Sequence, residues 1–216
     1  MSLAATHCRA PLRYHATTLL RRPVPSMSSV SSNPLQWVTT TPAWGAYERQ
    51  LSAQPVLTKG LTSLVGFALG DIIAQTLVEQ ATIIDVARVL KFSSFGFLVH
   101  GTTCHFFYNF LDRAVPGTDA KPVATKVAID QLLWNPIFGC LFFGYLTLYD
   151  GGSLPQAAMR IQQSLATQVT GSWGFWGPAH VVNFRFVPTE QRLLYINALQ
   201  IVYNVFLSVI STPPPL

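Results

Sequence analysis

Asp71 and Gln75 stand four residues apart in a stretch otherwise almost free of charge, and Asp130 and Gln131 are adjacent in another. In such surroundings a carboxylate beside an amide can hold a proton, take a cation or line a wet passage. His105 shares a helical face with Ser94, Gly101 and Asp112, and Asn197, Gln200, Asn204 and Ser208 follow at steps of three, four and four. No Lys or Arg lies within the apolar stretches that carry these residues. Asp71 and Asp130 are therefore hydrated, protonated, or paired with His105 or with an Arg from a loop. Two readings stay open for the set: a polar-lined pathway for small solutes, or interhelical hydrogen bonds that seal packed helices together.

Catalytic patterns fit poorly. An intramembrane aspartic protease needs two carboxylates sharing a proton. Leu69-Gly70-Asp71 and Tyr149-Asp150 are only loosely like its motifs, with Ala68 preceding, the order reversed and Asp150 at a helix end. His100 and His105 are five apart, the wrong spacing for two ligands on one helical face. No phosphate-binding glycine loop or GxSxG is present. Cys8, Cys104 and Cys140 form no metal or disulfide pattern. The expectation is a protein that is not an enzyme and needs no cofactor or metal.

The elements that position these residues are apolar. Half of the 216 residues are hydrophobic and 11% are charged, against roughly 25% charged in soluble domains; mean hydropathy is +0.34. Four stretches, Gly60–Val78, Phe92–Leu111, Val127–Tyr149 and Leu193–Ile210, approach the roughly 20 residues that cross a bilayer as helix. The expected fold is all-α: an integral membrane bundle of four transmembrane helices with short amphipathic interfacial helices. One of the latter carries Trp44, Tyr47 and Leu51, and another carries Leu154, Ala158, Ile161 and Leu165. Between that second helix and the last span, Gly171, Gly174, Gly177 and Pro178 suggest an irregular loop in the interface. Its Trp173, Trp176, His180, Asn183 and Arg185 are candidate gating residues. Gly66 and Gly70 make a small-xxx-small pair that allows close helix approach.

The formal charge of +5 belongs mostly to the N-terminus. Before Glu48 there are four Arg and no acid; from Glu48 onward ten basic residues face nine acidic ones. Residues 1–43 form a basic, Ser- and Pro-rich arm, and its first 36 residues have the composition of a mitochondrial or plastid transit peptide. Residues 44–211 form the membrane domain. Nucleic acid is not an expected partner; the lipid bilayer is, with further copies of the chain as an option. With the loop placed as above, Arg49, Lys59, Arg113, Lys121 and Lys126 fall on one side and Arg88, Lys91, Arg160, Arg185 and Arg192 on the other. Five basic residues on each side leave the orientation open under the positive-inside rule.

From Trp44 to Ser208 the chain resembles the Mpv-seventeen and peroxisomal twenty-two-kilodalton membrane protein family. The resemblance rests on Trp44-x-x-Tyr47-x-x-x-Leu51-x-x-x-Pro55-x-x-Thr58, Gly70-Asp71-x-x-x-Gln75, Asp85-x-x-Arg88 and Gly101-x-x-x-His105-x-x-Tyr108. It continues through Lys126-x-x-x-Asp130-Gln131, Pro136, Trp173, Trp176 and Asn183-Phe184-Arg185-Phe186-Val187-Pro188 to Arg192, Asn204 and Leu207-Ser208. Thr102, Phe107, Gly174, Gly177, His180 and Tyr203 depart from the usual pattern, as in a divergent branch. The resemblance implies four membrane helices and a role in membrane homeostasis or small-metabolite permeability, with no catalytic residues to carry over. The expected protein is thus an organellar channel for small solutes or ions, the alternative being a non-conducting structural or scaffold protein. Its expected address is the mitochondrial inner membrane, or alternatively a peroxisomal or plastid membrane. Asp71, Gln75, His105, Asp130, Asn197, Gln200 and Asn204 are its candidate pore-lining or interhelical polar residues.

Overall fold

Six helices run through residues 41–211, the part of the chain that the computed structural model describes, with side chains described as far as Tyr203. Helix α1 is Pro42–Ala53. After Pro55, whose fixed φ suits a first helical position, α2 runs Pro55–Val78. Helix α3 joins Val86–Phe95, Gly96–His100 and Gly101–Ala114 without a break. Helix α4 is Ala120–Tyr149, α5 is Leu154–Phe186 and α6 is Arg192–Ser211. No strand occurs among the described residues. The transit-peptide reading of the arm lies outside the described residues, as do the side chains of Asn204 and Ser208.

Local chemistry fixes the helix starts. The Asp85 carboxylate accepts from the Arg88 backbone N–H at 3.0 Å and so caps α3. Ser153 and Gln156 form a capping box at the head of α5. Gly117 and Gly151 take the positive φ that the turns after α3 and α4 need.

Sidedness is inverted relative to a water-soluble bundle. On α2, Leu57, Leu61, Val65 and Leu69 recur every four residues and are between 42% and 51% exposed, while Ser63, Asp71 and Gln75 are buried. Helix α4 likewise exposes Leu132, Leu133 and Ile137 and buries Asp130 and Gln131. Apolar outside and polar inside is the arrangement a lipid solvent asks for. Helices α2 and α4 are each long and apolar enough to cross a membrane.

Small residues bring the backbones together. A Cβ on Gly101 would lie 2.5 Å from the Cα of Gly60, and one on Gly96 would lie 2.7 Å from the Ser63 carbonyl oxygen. Helices α2 and α3 therefore touch backbone to backbone. Gly66 meets α6 instead, where a Cβ would be 2.9 Å from that of Asn197.

Helix α5 corrects the expected surface helix and loop. Its 33 residues are one continuous helix despite Pro178. Leu165, expected on a surface helix, packs against Gly139 of α4. Trp173, Trp176, His180, Asn183 and Arg185 accordingly sit on a helix and not in a gating loop. From residue 161 to residue 184 no Asp, Glu, Lys or Arg occurs, 24 residues in all. That is about 36 Å of helix, longer than a bilayer's apolar core of about 30 Å. The loop expectation fails because Gly, Ser, Thr and Gln keep this stretch from scoring as apolar.

An unbroken α5 also moves Arg185 and Arg192. Arg192 pairs with Asp112, and Arg185 donates to the Thr118 carbonyl. Both belong to the end that carries Lys121 and Lys126, so the five-against-five division of basic residues does not hold.

Candidate functional site

Two ion-pair clusters close the ends of the bundle. At the first, Arg88 donates through Nε to Oδ1 of Asp71 at 2.7 Å and clasps both Glu79 oxygens at 2.7 and 2.9 Å. Gln75 Nε2 takes the other Asp71 oxygen at 2.8 Å, while its Oε1 accepts from the Asp85 backbone N–H at 2.6 Å. Asp71 is thus paired with an Arg from the first turn of α3, and its two carboxylate oxygens are both engaged. The Arg88 guanidinium holds the exposed Glu79 carboxyl below the usual carboxylate range. Lys91 reaches Asp150 at the same end, at 3.0 Å.

At the opposite end, Asp112 accepts from Lys126 Nζ at 2.7 Å, from Arg192 and from the Thr189 hydroxyl. Lys126 and Arg192 are almost fully buried, and Lys126 also donates to the Gly117 carbonyl at 3.0 Å. Burial pushes the Asp112 carboxyl up, but the hydrogen bonds from Arg192, Lys126 and Thr189 outweigh it and hold the group at about 2.

Between the two clusters lies a cavity of about 540 Å³, walled by α2 to α6. Its polar groups include Asp130, Gln131, Gln168, His180 and Gln200; Trp134, Phe138, Trp176 and Tyr203 supply much of its aromatic wall. No Lys or Arg is among its lining residues. Asp130 and Gln131 share a π turn, Asp130–Trp134, closed by the Asn135 N–H on the Asp130 carbonyl. Gln131 Nε2 donates to Asp130 Oδ2 at 2.7 Å, and His180 Nε2 of α5 approaches the same oxygen to 3.2 Å. His180 stacks on Phe184 with ring centroids 5.5 Å apart.

A second polar chain crosses the bundle. Asn197 Nδ2 donates to Ser63 Oγ at 3.1 Å, and Ser63 Oγ lies 3.0 Å from His100 Nδ1, a hydrogen-bond distance. His100 also lines the cavity.

The cavity thus gathers Asp130, Gln200, Trp176 and His180 from among the residues that the sequence nominates. Asp71 and Gln75 belong to the end cluster. Half-buried His105 faces Asn109 at 3.2 Å and lies apart from both aspartates. Asn197 is locked under Gly66, and Asn183 is buried within α5. Arg185 and Trp173 remain partly exposed. Asn204 lies outside the described side chains. Gln168 and Ser63 are the residues that sequence reasoning missed, while Asn135 and His100, polar residues of the third and second apolar stretches, take places in the cavity wall that it did not assign them. Gln168, Ser172, Trp176, His180 and Asn183 follow at steps of four, four, four and three, a stripe visible once the glycines are read as helical. Two departures from the family pattern, His180 and Tyr203, line the cavity. Among the described residues no group of three or more His, Cys, Asp or Glu is placed to hold a metal ion.

The model of the Mpv17 / PMP22 family matches residues 147–208. Protein SYM1 of Mycosarcoma maydis is 39% identical over 70% of this chain and 77% of its own length. The mitochondrial inner membrane protein Mpv17 of Xenopus laevis is 32% identical over 76% of this chain and 94% of its own length. Peroxisomal membrane protein 2 of Bos taurus is 27% identical over 77% and 88% respectively. No solved structure matches. The names of the latter two carry the expected mitochondrial address and its peroxisomal alternative, and both are proteins of a lipid bilayer. By its sequence, the chain belongs to the Mpv17 / PMP22 family.

Proposed function

We propose that this chain is a conduit for small solutes across an organellar membrane, with the central cavity as its inner chamber and the two ion-pair clusters as its closures. The four apolar helices α2, α3, α4 and α6 cross the bilayer in this reading. Helix α5, with its uncharged 24-residue stretch, completes the wall. The observation that carries the proposal is the 540 Å³ cavity with a carboxylate, amides and a histidine facing an interior that packing alone would fill with apolar groups. A protein solvated by lipid keeps such groups inside at a cost, and hydrating a solute on its way through offsets that cost. No catalysis or cofactor is involved.

The test is flux through liposomes holding the purified chain. Small hydrophilic solutes should leak faster than from empty liposomes, and filling the cavity with Gly171→Trp should slow them. Equal leak from protein-bearing and empty liposomes would sink the conduit.

A non-conducting structural role has one observation in its favour: the two oxygens of Asp71 are both engaged by Arg88 and Gln75, as in a sealed joint. If neither the native chain nor an Arg88→Gln variant leaks, the scaffold reading stands in place of the conduit.

A further inference from the structure

We infer that the cavity holds a binding site for a primary ammonium group carried on a small apolar or aromatic body. The inference deepens the conduit reading and rests on it, since the cavity must be reachable from solution.

Hydrogen-bond accounting points to the ligand. Asp130 Oδ1, Gln131 Oε1 and Gln168 Oε1 are buried and find no hydrogen-bond partner among the described residues. Asp130 is 2% exposed and Gln131 7%. Their other polar atoms are engaged: Gln131 Nε2 on Asp130, and Gln168 Nε2 on Asn135 Oδ1 at 3.1 Å. His180 Nδ1 is also buried and without a partner. With its Nε2–H turned to Asp130 Oδ2, Nδ1 presents a lone pair. Four cavity-lining side chains of α4 and α5 therefore each offer an acceptor, while their donor atoms are already engaged. A buried acceptor left unmade costs free energy that a donor-bearing ligand recovers.

Charge narrows the class. Asp130 is the one acid among the described lining residues, and no Lys or Arg stands among them to neutralise it. An anion would meet a carboxylate and acceptor oxygens. A neutral alcohol brings one donor, whereas a primary ammonium brings three and a positive charge. The walls agree: Trp134, Trp176 and Tyr203 line the cavity, and aromatic rings attract cations and cover an apolar body. The volume of about 540 Å³ falls in the range of small-molecule sites.

Three probes sharing one body test the assignment: 2-phenylethylammonium, 2-phenylethanol and phenylacetate, titrated calorimetrically against the full chain in nanodiscs. The ammonium should bind at least tenfold more tightly than either of the others. In folded Asp130→Asn that preference should fall to within about twofold. Should Asp130→Asn fail to fold, Gln168→Leu serves instead, with a loss of about threefold or more in ammonium affinity alone. Phenylacetate or the alcohol binding as tightly as the ammonium would overturn the inference. So would a preference that survives in a folded Asp130→Asn, or an ammonium affinity untouched by Gln168→Leu where that variant stands in. Flux in liposomes is read separately: leak without ammonium preference removes the site and keeps the conduit, and ammonium binding without leak does the reverse.

Discussion

Arg88 reaches back from the first turn of α3 to Asp71 on α2 and, with the same guanidinium, clasps Glu79 in the loop between them. The contact joins a buried carboxylate to a partly exposed base. Replacing Arg88 by Gln strands Asp71 in the interior and should cost about 2–4 kcal/mol. Asp71→Asn keeps one acceptor oxygen and loses the other, but strands no charge because Glu79 still pairs Arg88. It should cost less, and adding it to Arg88→Gln should restore part of the loss. Thermal unfolding of the four proteins in detergent checks this; an Arg88→Gln variant as stable as the native chain would show that the pair is not holding α2 to α3.

Backbone contact between Gly60 and Gly101 makes a second prediction. A methyl at Gly101 would sit 2.5 Å from another backbone atom, so Gly101→Ala should destabilise the bundle by about 1–3 kcal/mol or more. At Gly174 a methyl meets nothing within 4 Å, and Gly174→Ala should be neutral or stabilising by up to about 1 kcal/mol. The same unfolding assay compares them, and a reversed order would mean that α2 and α3 do not cross here.

Acid should loosen the cluster around Asp112. Its carboxyl stands at about 2 in the folded chain and near 3.8 when free. A depressed pKa contributes stability that is fully present above the free value and is lost as pH falls through the folded value. The contribution, roughly 2 kcal/mol, should therefore vanish between about pH 4 and pH 2. Asp112→Asn should be less stable at neutral pH, because Lys126 and Arg192 lose their counter-charge, and should show a flatter acid profile in that window. Parallel acid profiles for the two proteins would refute the assignment.

The continuity of α5 gives the bundle an electrical polarity. Arg49, Lys59, Arg113, Lys121, Lys126, Arg185 and Arg192 gather at one end, whereas Arg88, Lys91 and Arg160 stand at the other. Basic ends stay on the side that is electrically negative, so for an inner-membrane protein the end with Thr118 should face the matrix. In a chain with its own cysteines replaced by Ser, Ser153→Cys should react with a membrane-impermeant thiol reagent added to mitoplasts and Thr118→Cys should not. Labelling of Thr118→Cys alone would invert the orientation.

Much of this architecture is legible in the residues, for physical reasons. Lipid-facing stretches announce themselves by apolarity, and Asp71, without a neighbouring base in its helix, must be hydrated, protonated or paired from elsewhere; its partner is Arg88 in the first turn of α3. Asp130 poses the same question, and His105 is a reasonable candidate by type. The partner is His180, because α5 stays helical where its glycines and Pro178 suggest a loop. Packing against α4 stabilises that helix against its own composition, and such tertiary support cannot be read from propensity. The π turn in which the neighbours Asp130 and Gln131 are both buried is equally hidden, since a change of hydrogen-bond register leaves no mark in residue type.

Three π turns occur in the bundle, at Ala74–Val78, Gly96–His100 and Asp130–Trp134, each closed by an N–H bonding five residues back. Such a turn carries one residue more than regular α-helix needs, while the helix on either side keeps its facing. Elsewhere in a helix, losing one residue swings everything beyond it by about 100°. These turns are therefore the joints at which chain length is uncoupled from orientation. Within Asp130–Trp134 the loss of one of Leu132, Leu133 or Trp134 should let the backbone relax to α-helix and change how Asp130 and Gln131 face the chamber, with Lys126 still meeting Asp112 and Gly139 still meeting Leu165. Heredity could reshape the chamber there one residue at a time without refolding the walls.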